Sequence, residues 1–500
     1  MKYDSPIEVT RLPHRLLPDP ARVIMRLFLP GDERRVRAIV NRVMGLSETD
    51  TSFLLSDLRE RFGYKHLDLD AVLAENYEAV RHCVPDPDGL SRRRRLLIGA
   101  YFTMEYAIEA AALFNPSMVP AIDQDDLPPG STRFLMSLRA TGEGHISSIV
   151  FRRGVIDAEL NIDMDAVSPY SRQLEVVENR SYEKRVYLLK LIEMGSYNDL
   201  AGAVLDRLGE GFTFRELNEA IERIDETQDA PASLQETADN MLSLARSNYH
   251  MYLPEDADPS EIVIFPSSEN ESHGIEDVRL VHFVDDDGPS RYYGTYTAYN
   301  GFRILPQILE MSEHGTVKVH TMGGRYARNK GVALFPRKVD GFYMMISRLD
   351  NENLYLMKSD NVRFWNEARM IQTPKYFWEL VQIGNCGSPL ETDEGWLLLT
   401  HGVGPMRQYC IGATLLDRYD PSRLIGQTER PLLVPVGEER TGYVPNVVYS
   451  CGGMIHNDTL IIPYAMSDIS TSFATVPLAE LLALLTGKDT SKPKRSRNRR

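Results

Sequence analysis

Residues 395–416 decide the fold class and read GWLLLTHGVGPMRQYCIGATLL. Two apolar runs, GWLLLTHG and YCIGATLL, flank a short segment that contains glycine and proline. Runs of this length, bounded by turn residues, are typical of β-strands rather than of helices. The stretch therefore predicts two neighbouring strands joined by a short connection.

Similar β-prone runs recur along most of the chain from residue 115 onward, separated by Gly, Asp, Asn and Pro loops. Many short strands without intervening helices are typical of closed antiparallel architecture, and so long a series suits a propeller better than a single sandwich. The predicted fold class is mainly β. The other runs are RFLMSL, ISSIVF, EIVIF, VRLVHFV, YYGTYTAY, GFYMMISR, LYLMKS and TLIIPYAM.

The N-terminal part of the chain has a helical pattern instead. Val36, Val40 and Val43 recur at helical spacing, with Asp32 near the start of the run and Gly45 at its end. This arrangement predicts an amphipathic helix. The same period continues through residues 51–62, 68–82 and 91–113.

A second helical region interrupts the strand-rich part at about residues 181–249. Two capping boxes, Thr213 with Glu216 and Ser233 with Glu236, open helical runs there.

The last residues are basic and polar and have nothing to bury, so we expect them to be disordered. The predicted organisation is a helical extension at 1–113, a β domain at 114–485 that contains the helical insertion, and a disordered tail at 486–500.

Composition excludes several classes of function. The chain has 500 residues with 56 Lys and Arg against 71 Asp and Glu, a net charge of −15 that disfavours a nucleic-acid partner. Its four cysteines form no CxxC pair, and no stretch approaches the roughly 18–20 apolar residues of a membrane span. Phosphate-loop, HExxH and GxSxG motifs are missing. We expect a cytoplasmic protein without a zinc module.

Charged residues inside apolar strands are the candidate site residues, because a buried charge is costly unless it is paired or used. In HGIEDVRLVHF, strand alternation places Asp277 and Arg279 on one face and Glu276 on the other. Taken alone, such a carboxylate and guanidinium form an ordinary structural ion pair more often than a catalytic site.

Three further clusters have the same ambiguity. Lys330 and Arg348 flank an apolar strand, which suggests either an anion site or a structural ion pair. His401 follows one strand and Tyr409 opens the next, and an isolated histidine is usually structural. The fourth cluster lies at a predicted hairpin and contains Arg139, Glu143, His145 and Ser147.

Taken together and in order, these segments resemble glycoside hydrolase family 130, the five-bladed propeller enzymes that include β-mannoside phosphorylases and β-1,2-mannosidases. The resemblance covers nearly the whole strand-rich part, while the N-terminal helices and the insertion resemble only a longer-chain branch of the family. The matching pieces are FNPSMVP, RATGEGHISSI, GIEDVRL, YGTYTAY, KGVALFPRKVDGFYMMISR, GWLLLTHGV, YCIGATLLD, YVPNVVYSCGGMI and PYAMSD.

The resemblance implies a role for each candidate residue. It makes Asp277 the proton donor to the glycosidic oxygen, acting through a hydroxyl of the bound mannoside, with Val278 replacing the family's usual proline. The implied sugar-binding residues are Asn115, Ser117, Arg139, Arg279 and Asp468. The implied phosphate-binding residues are Lys330, Arg348, His401 and Tyr409.

The resemblance therefore implies an inverting phosphorylase that cleaves β-linked mannose oligosaccharides with inorganic phosphate and releases α-mannose 1-phosphate. Phosphate needs no general base, so one acid and a cationic pocket suffice without a metal or organic cofactor. Gln382 and Glu391 stand where phosphorylases often have lysine, which keeps an inverting hydrolase open, with Glu391 or another pocket carboxylate as the suspected base. A catalytically idle sugar-binding propeller is the other alternative. The apolar helices favour a homo-oligomer.

Overall fold

A computed structural model describes residues 5–178, 181–225, 232–254, 256–286, 288–302, 304–312 and 315–488. The chain is mainly β with two groups of helices, as the sequence predicted. The basic tail predicted for 486–500 lies outside the described residues from residue 489 onward. The helices are α1 Glu33–Met44, α2 Glu48–Phe62, α3 Leu69–Val80, α4 Arg92–Tyr101, α5 Lys184–Glu193, α6 Asp199–Asp206, α7 Phe214–Asp225, α8 Ala232–Arg246 and α9 Leu478–Thr486.

The strands occupy most of the rest of the described chain. They are β1 Thr10–Leu16, β2 Val23–Leu27, β3 Thr103–Ala107, β4 Ala112–Pro120, β5 Thr132–Thr141, β6 Ser147–Ile156, β7 Ile162–Met164, β8 Arg172–Gln173, β9 Val176–Glu178, β10 Tyr182–Glu183, β11 Gly211–Phe212, β12 Tyr249–Tyr252, β13 Ile262–Ile264, β14 Ile275–Phe283, β15 Arg291–Tyr299, β16 Ile304–Met311, β17 Thr316–Thr321, β18 Ala333–Leu334, β19 Tyr343–Ser347, β20 Leu354–Ser359, β21 Glu367–Gln372, β22 Gln382–Asn385, β23 Leu390–Thr392, β24 Gly395–Val403, β25 Tyr409–Leu416, β26 Leu424–Gln427, β27 Val448–Tyr449, β28 Met454–His456, β29 Thr459–Met466 and β30 Ser470–Pro477.

Five sheets of four to six strands form the body of the molecule. The first has the order β4-β5-β6-β13-β8, the second β14-β15-β16-β17-β12-β9, the third β18-β19-β20-β21 and the fourth β22-β24-β25-β26. The fifth has the order β1-β30-β29-β27, so a strand from the start of the chain completes a sheet built from its end. Residues 395–416 form the predicted antiparallel pair, β24 with β25.

Each sheet contacts the next, and the fifth contacts the first. Strands β4 and β14 join the first two sheets, β15 and β18 the next two, β19 and β22 the third and fourth, β25 and β27 the fourth and fifth, and β29 and β4 the fifth and first. Apolar side chains fill the spaces between neighbouring sheets. The five sheets therefore contact one another in a cyclic order.

The N-terminal extension is less helical than the sequence predicted. Asp32 caps α1 as expected, since its carboxylate accepts the backbone N–H of Arg35. The helix expected over 91–113 ends at Tyr101, however, and β3 and β4 follow it. The hydroxyl of Thr103 donates to the carbonyl of Gly99 at 2.9 Å, and β3 then pairs with β2, so the backbone leaves the helix. Strand β1 was also not expected in this region.

The helical insertion packs around its own apolar core, to which α5, α6, α7 and α8 all contribute. The predicted capping box before α7 is confirmed. Thr213 N–H donates to the Glu216 carboxylate at 2.8 Å, and Glu216 N–H donates to the Thr213 hydroxyl at 3.2 Å. The second predicted box includes Ser233, whose side chain lies outside the described residues.

A buried ion network attaches the N-terminal extension to the first sheet. Glu109 is fully buried and contacts Arg22 at 3.0 Å and Arg152 at 2.7 Å. Arg22 also donates to the backbone carbonyls of Ser168 and Ser260. One carboxylate therefore compensates two buried guanidinium groups.

No helix among the described residues is long and apolar enough to span a bilayer.

We predict that Glu109→Ala lowers the free energy of unfolding by about 3–5 kcal/mol, because Arg22 and Arg152 would stay buried without a counter-charge. Chemical denaturation measures the change. The matched control is Glu438→Ala, which removes an exposed ion pair with Arg15 and should cost at most about 1 kcal/mol. Equal, small decreases in the free energy of unfolding for both variants would contradict the role of Glu109 as the counter-charge of Arg22 and Arg152.

Candidate active site

A polar pocket is lined by residues that lie in or next to strands of all five sheets. Its volume is about 170 Å³. Asparagine, three carboxylates and five cationic side chains dominate its lining. The lining residues are Asn115, Arg139, Glu276, Asp277, Arg279, Lys330, Gly331, Arg348, His401, Arg407, Tyr409, Val444, Val447, Tyr449 and Asp468.

Of the residues that the resemblance implicated, the structure brings together all except Ser117. Ser117 is fully buried beneath the pocket, and its hydroxyl accepts the backbone N–H of Leu280 at 2.9 Å. This contact joins β4 to β14. The position of Ser117 is that of a residue that holds two pocket strands together, rather than one that touches a ligand.

Three of the polar residues that line the pocket have a left-handed backbone conformation. Asn115, Asp277 and Asp468 have φ of 49°, 56° and 56°. The antiparallel register shifts between Glu276 and Arg279 in β14, and between Phe114 and Ser117 in β4, which are β-bulges. Asparagine and aspartate tolerate such φ values better than most residues, although each still costs about 1–3 kcal/mol. Packing and hydrogen bonds of the surrounding sheets must offset the free-energy cost of these conformations.

The bulge in β14 corrects one prediction. Strict alternation placed Glu276 on the face opposite Asp277, but both carboxylates line the pocket. The extra residue in the bulge interrupts the two-residue period of the strand. The sequence showed no glycine at this position that could have indicated the irregularity.

Arg139 binds both of these carboxylates. Its Nη2 lies 3.0 Å from Glu276 Oε1, and its Nη1 lies 3.3 Å from Asp277 Oδ1. Its Nε donates to the Ser147 hydroxyl at 3.0 Å, which fixes the guanidinium plane. Asn115 Nδ2 also donates to Asp277 Oδ1, at 2.7 Å.

The environment of Asp277 favours its charged form in the ligand-free pocket. Burial raises the pKa of this carboxyl, but Arg139, Arg279, the Asn115 hydrogen bond and Lys330 together outweigh it and lower the pKa below the ordinary value. Arg279 also donates to the Asp277 carbonyl at 2.9 Å and to the Tyr449 hydroxyl at 2.8 Å. A bound anion would offset these cations and shift the pKa of Asp277 back upward.

Asp468 has the opposite shift. Burial, followed by repulsion from Asp277, raises the pKa of Asp468 to about 6, although Arg139 and Arg407 oppose this change. The two aspartates therefore differ in proton affinity within one pocket, a pattern that is common at sites of acid–base chemistry.

The other side of the pocket is cationic and aromatic. Arg348 Nη1 lies 3.1 Å from His401 Nε2, and the His401 ring stacks on Tyr409 with centroids 6.0 Å apart. Burial, then the charges of Arg348 and Arg279, hold the pKa of His401 well below its ordinary value, so the neutral ring accepts from Arg348. With its amide oriented so that the oxygen faces Arg348, the Gln382 carboxamide also accepts from Arg348 Nη1 at 2.6 Å. Lys330 lies at the boundary, with its Nζ 3.9 Å from Glu276 Oε2.

The sequence reasoning did not identify several lining residues. Arg407 follows the exposed Met406 in a turn between β24 and β25, and both have φ above 50°. The glycine and proline before it in GPMR indicated the turn, but not that an arginine from it would enter the pocket. Tyr449 lies in the quoted segment YVPNVVYSCGGMI, where an apolar context gave no sign of its contact with Arg279.

Glu391, the suspected base of a hydrolase, does not line the pocket. Its carboxylate lies 2.6 Å from Arg337 and 3.1 Å from Arg418, and these two ion pairs lower its pKa. The hypothesis that Glu391 could serve as a base in this pocket is therefore wrong.

Among the described residues, one group of three side chains is spaced so that it could hold a metal ion, and it lies on the N-terminal helices. The group consists of Glu33, His82 and Cys83, with ligand atoms within 4.8 Å of one another. Arg37 already binds the Glu33 carboxylate at 2.5 Å, which places a competing cation at that oxygen. The expectation that no metal or organic cofactor is needed stays a prediction.

We predict that Asp468→Asn stabilises the protein in a pH-dependent way. A carboxyl whose pKa is raised on folding binds its proton more tightly in the folded state, so it destabilises the fold once the pH exceeds its unfolded value. The gain should be small near pH 4, grow up to about pH 6 and reach about 1–3 kcal/mol at pH 7.5. Asparagine tolerates the left-handed backbone of this position.

Chemical denaturation at several pH values measures this gain, with Asp458→Asn on an exposed turn as the control. The control should change the free energy of unfolding by less than about 0.5 kcal/mol. A gain for Asp468→Asn that is constant from pH 4 to pH 8 would show that titration of this carboxyl is not the cause.

Comparison with known proteins gives a consistent result. A family model described as beta-1,4-mannooligosaccharide phosphorylase matches residues 247–487. The chain is 31% identical over 230 residues to 1,2-beta-oligomannan phosphorylase from Thermoanaerobacter sp. (strain X514), which covers 44% of this chain and 73% of the relative. It is 27% identical over 254 residues to Beta-1,2-mannobiose phosphorylase from Listeria innocua, covering 49% of this chain and 69% of the relative.

A solved structure of the Listeria innocua beta-1,2-mannobiose phosphorylase covers 76% of this chain and 93% of its own, at 19% identity and a TM-score of 0.43. The sequence relationship is the stronger finding, because the match to the Thermoanaerobacter protein combines 31% identity with 73% of that protein's length. The chain belongs to glycoside hydrolase family 130.

Proposed function

We propose that this protein is an inverting phosphorylase that cleaves β-linked mannosides with inorganic phosphate and releases α-mannose 1-phosphate. The observation that carries the proposal is the division of one pocket into two sides. A buried carboxylate, Asp277, lies with Arg139 and Asn115 on one side, and Arg348, His401 and Tyr409 lie on the other. The relatives named above are phosphorylases of β-mannosides.

In this proposal a phosphate oxygen attacks the anomeric carbon as the glycosidic C–O bond breaks, and Asp277 supplies the proton that the leaving oxygen takes up, through a mannoside hydroxyl as the family resemblance implies. Hydrogen phosphate loses its own proton as it becomes the ester, and this proton restores Asp277. Atoms and charge balance without an added base, since phosphate is already a competent nucleophile.

The pKa of Asp277 connects the two substrates. In the free pocket its surrounding cations favour the carboxylate, which cannot donate a proton. A phosphate dianion beside Arg348 and Lys330 would offset these charges and raise the pKa of Asp277. Phosphate would then act as the nucleophile, and its negative charge would also favour the protonated form of Asp277.

The charges on the phosphate side favour phosphorolysis over hydrolysis. An inverting hydrolase needs a second carboxylate about 6.5–9.5 Å from the acid to activate water. Among the described lining residues the carboxylates are Glu276, Asp277 and Asp468. Glu276 is bound to Arg139, and burial followed by repulsion from Asp277 raises the pKa of Asp468 to about 6. On the other side Arg348 provides positive charge and Tyr409 a hydroxyl, beside the neutral His401 ring, and a water nucleophile would gain nothing from them. An idle sugar-binding protein would not need this arrangement.

We further propose that the five sheets are the blades of a five-bladed propeller, with the catalytic domain at 114–485 and the helical insertion at about 181–249. The cyclic contacts between the sheets and the contribution of β1 to the last sheet support this architecture. The relatives' names include both β-1,2 and β-1,4 linkages, so the substrates to test are both mannobioses. A homo-oligomer and a cytoplasmic location stay predictions.

We predict that Asp277→Asn lowers the rate of phosphate-dependent cleavage by about 10²–10⁴-fold, because the amide keeps the shape of the side chain but cannot donate the proton. Release of mannose 1-phosphate from β-1,2- and β-1,4-mannobiose measures the rate. Thermal unfolding checks that the variant is folded. Near-normal turnover by a folded variant would contradict the role of Asp277.

Arg348→Ala should raise the KM for phosphate by roughly 10- to 150-fold, which corresponds to the loss of one charge-assisted contact of about 1.5–3 kcal/mol. The KM for the mannoside should change less. Arg328→Ala, an exposed arginine of the neighbouring loop that does not line the pocket, is the matched control. If wild-type protein cleaves as fast in phosphate-free buffer and releases free mannose, the reaction is hydrolysis.

A further inference from the structure

A second polar cavity lies between the helical insertion and the second sheet. Helix α5 and the end of α8 form one wall, and β17 and the loop before β21 form the other. Its volume of about 60 Å³ is on the scale of a few water molecules. A phosphate group fits this space, whereas a sugar ring attached to that group would lie outside. No residue of this cavity belongs to the active-site pocket.

His320, at the end of β17, is the central residue of this cavity. Its side chain is 9% exposed and lines the cavity, yet it makes no hydrogen bond with the described residues. Burial, followed by the charges of Arg363, His250 and Lys318, lowers the pKa of His320 to about 3. The ring is therefore neutral and lies near cationic side chains. It packs edge-to-face on His250 with centroids 6.4 Å apart and has no hydrogen-bond partner among the residues described, so it can bind a ligand or an ordered water in the cavity.

Two cationic side chains, Lys190 and Arg363, line the cavity with His320. Lys190 is 7% exposed, and its Nζ donates to the Met322 carbonyl at 2.7 Å and lies 3.3 Å from the Glu193 carboxylate. These two contacts leave one ammonium hydrogen available. The guanidinium of Arg363 lines the outer edge and has no ion pair within the described part of the chain.

Neutral and acidic groups complete the wall. Thr321 and Asn248 contribute a hydroxyl and a carboxamide, which lie 3.5 Å apart. Glu183 lines the solvent edge and is exposed, so its charge is largely screened. The cavity therefore has buried Lys190 and a neutral imidazole on its inner surface and exposed Arg363 at its outer edge, with Glu193 opposing Lys190 from behind.

We propose that this cavity binds a phosphate group, either inorganic phosphate or the phosphate of a sugar monoester, between Arg363, Lys190 and His320. A phosphate presents several acceptor oxygens to these donors and supplies the negative charge that the cavity lacks. Bound there, it would connect helix α5 of the insertion to β17 of the second sheet. This site goes beyond the proposed function and does not depend on it.

The test follows the imidazole of His320 directly, by NMR of the full-length protein with isotope-labelled histidine. His320→Gln identifies the His320 signal among those of the 11 histidines. Inorganic phosphate and mannose 1-phosphate are titrated separately at pH 7, with sodium chloride at equal ionic strength as the control. We expect phosphate to move the His320 signal toward that of the protonated ring, and to do so equally in Arg348→Ala, whose active-site phosphate contact is weakened.

Arg363→Ala should raise the phosphate concentration needed for this change at least tenfold, while Arg325→Ala, a nearby exposed arginine outside the cavity, should leave it unchanged. A response to mannose 1-phosphate alone would support the monoester as the ligand. The proposal fails if neither compound moves the signal, if chloride moves it as much, or if Arg363→Ala has no effect. Phosphate-dependent cleavage by His320→Gln tests the proposed function separately, because this residue lies outside the active-site pocket.

Discussion

The contact of Arg139 with two adjacent carboxylates is the interaction on which the pocket depends. A β-bulge turns Glu276 and Asp277 toward the same side, and two like charges so close together repel each other. One guanidinium compensates both, and Ser147 holds its plane. The left-handed backbone of Asp277 costs energy that the contacts between β4 and β14 must supply, including the bond from Leu280 to Ser117. The acid is therefore held by the packing of two sheets rather than by its own strand.

The same principle governs the attachment of the helices. Glu109 compensates two buried guanidinium groups where the N-terminal extension meets the first sheet. At the base of the insertion, buried Glu271 accepts the hydroxyls of Tyr249 and Tyr296. Each of these carboxylates is fully satisfied by donors from different parts of the chain, so removing it would leave buried groups without partners. The cavity around His320 differs, because no carboxylate pairs with Arg363 within the described residues.

Local pattern predicted most of the elements and much of the site. The apolar runs from residue 115 onward became strands, and Asp32 and Thr213 became helix caps, because these features depend on neighbours within a few residues. The helix expected over 91–113 ended early, because pairing of β3 with β2 outweighed the helical period. Glu276 was placed on the wrong face, since a bulge depends on the register of the partner strand.

The sequence by itself determined the fold class, the family and nearly all of the polar residues that line the pocket. Each of these residues lies in a sequence motif that is characteristic of the family, and the motifs follow one another in the family's order. Only the tertiary structure decided which of these residues meet. It removed Ser117 and Glu391 from the pocket and added Arg407 and Tyr449. The physical reason is that the pocket combines residues up to several hundred positions apart, and their distances depend on how five sheets pack, which no local pattern of residues encodes.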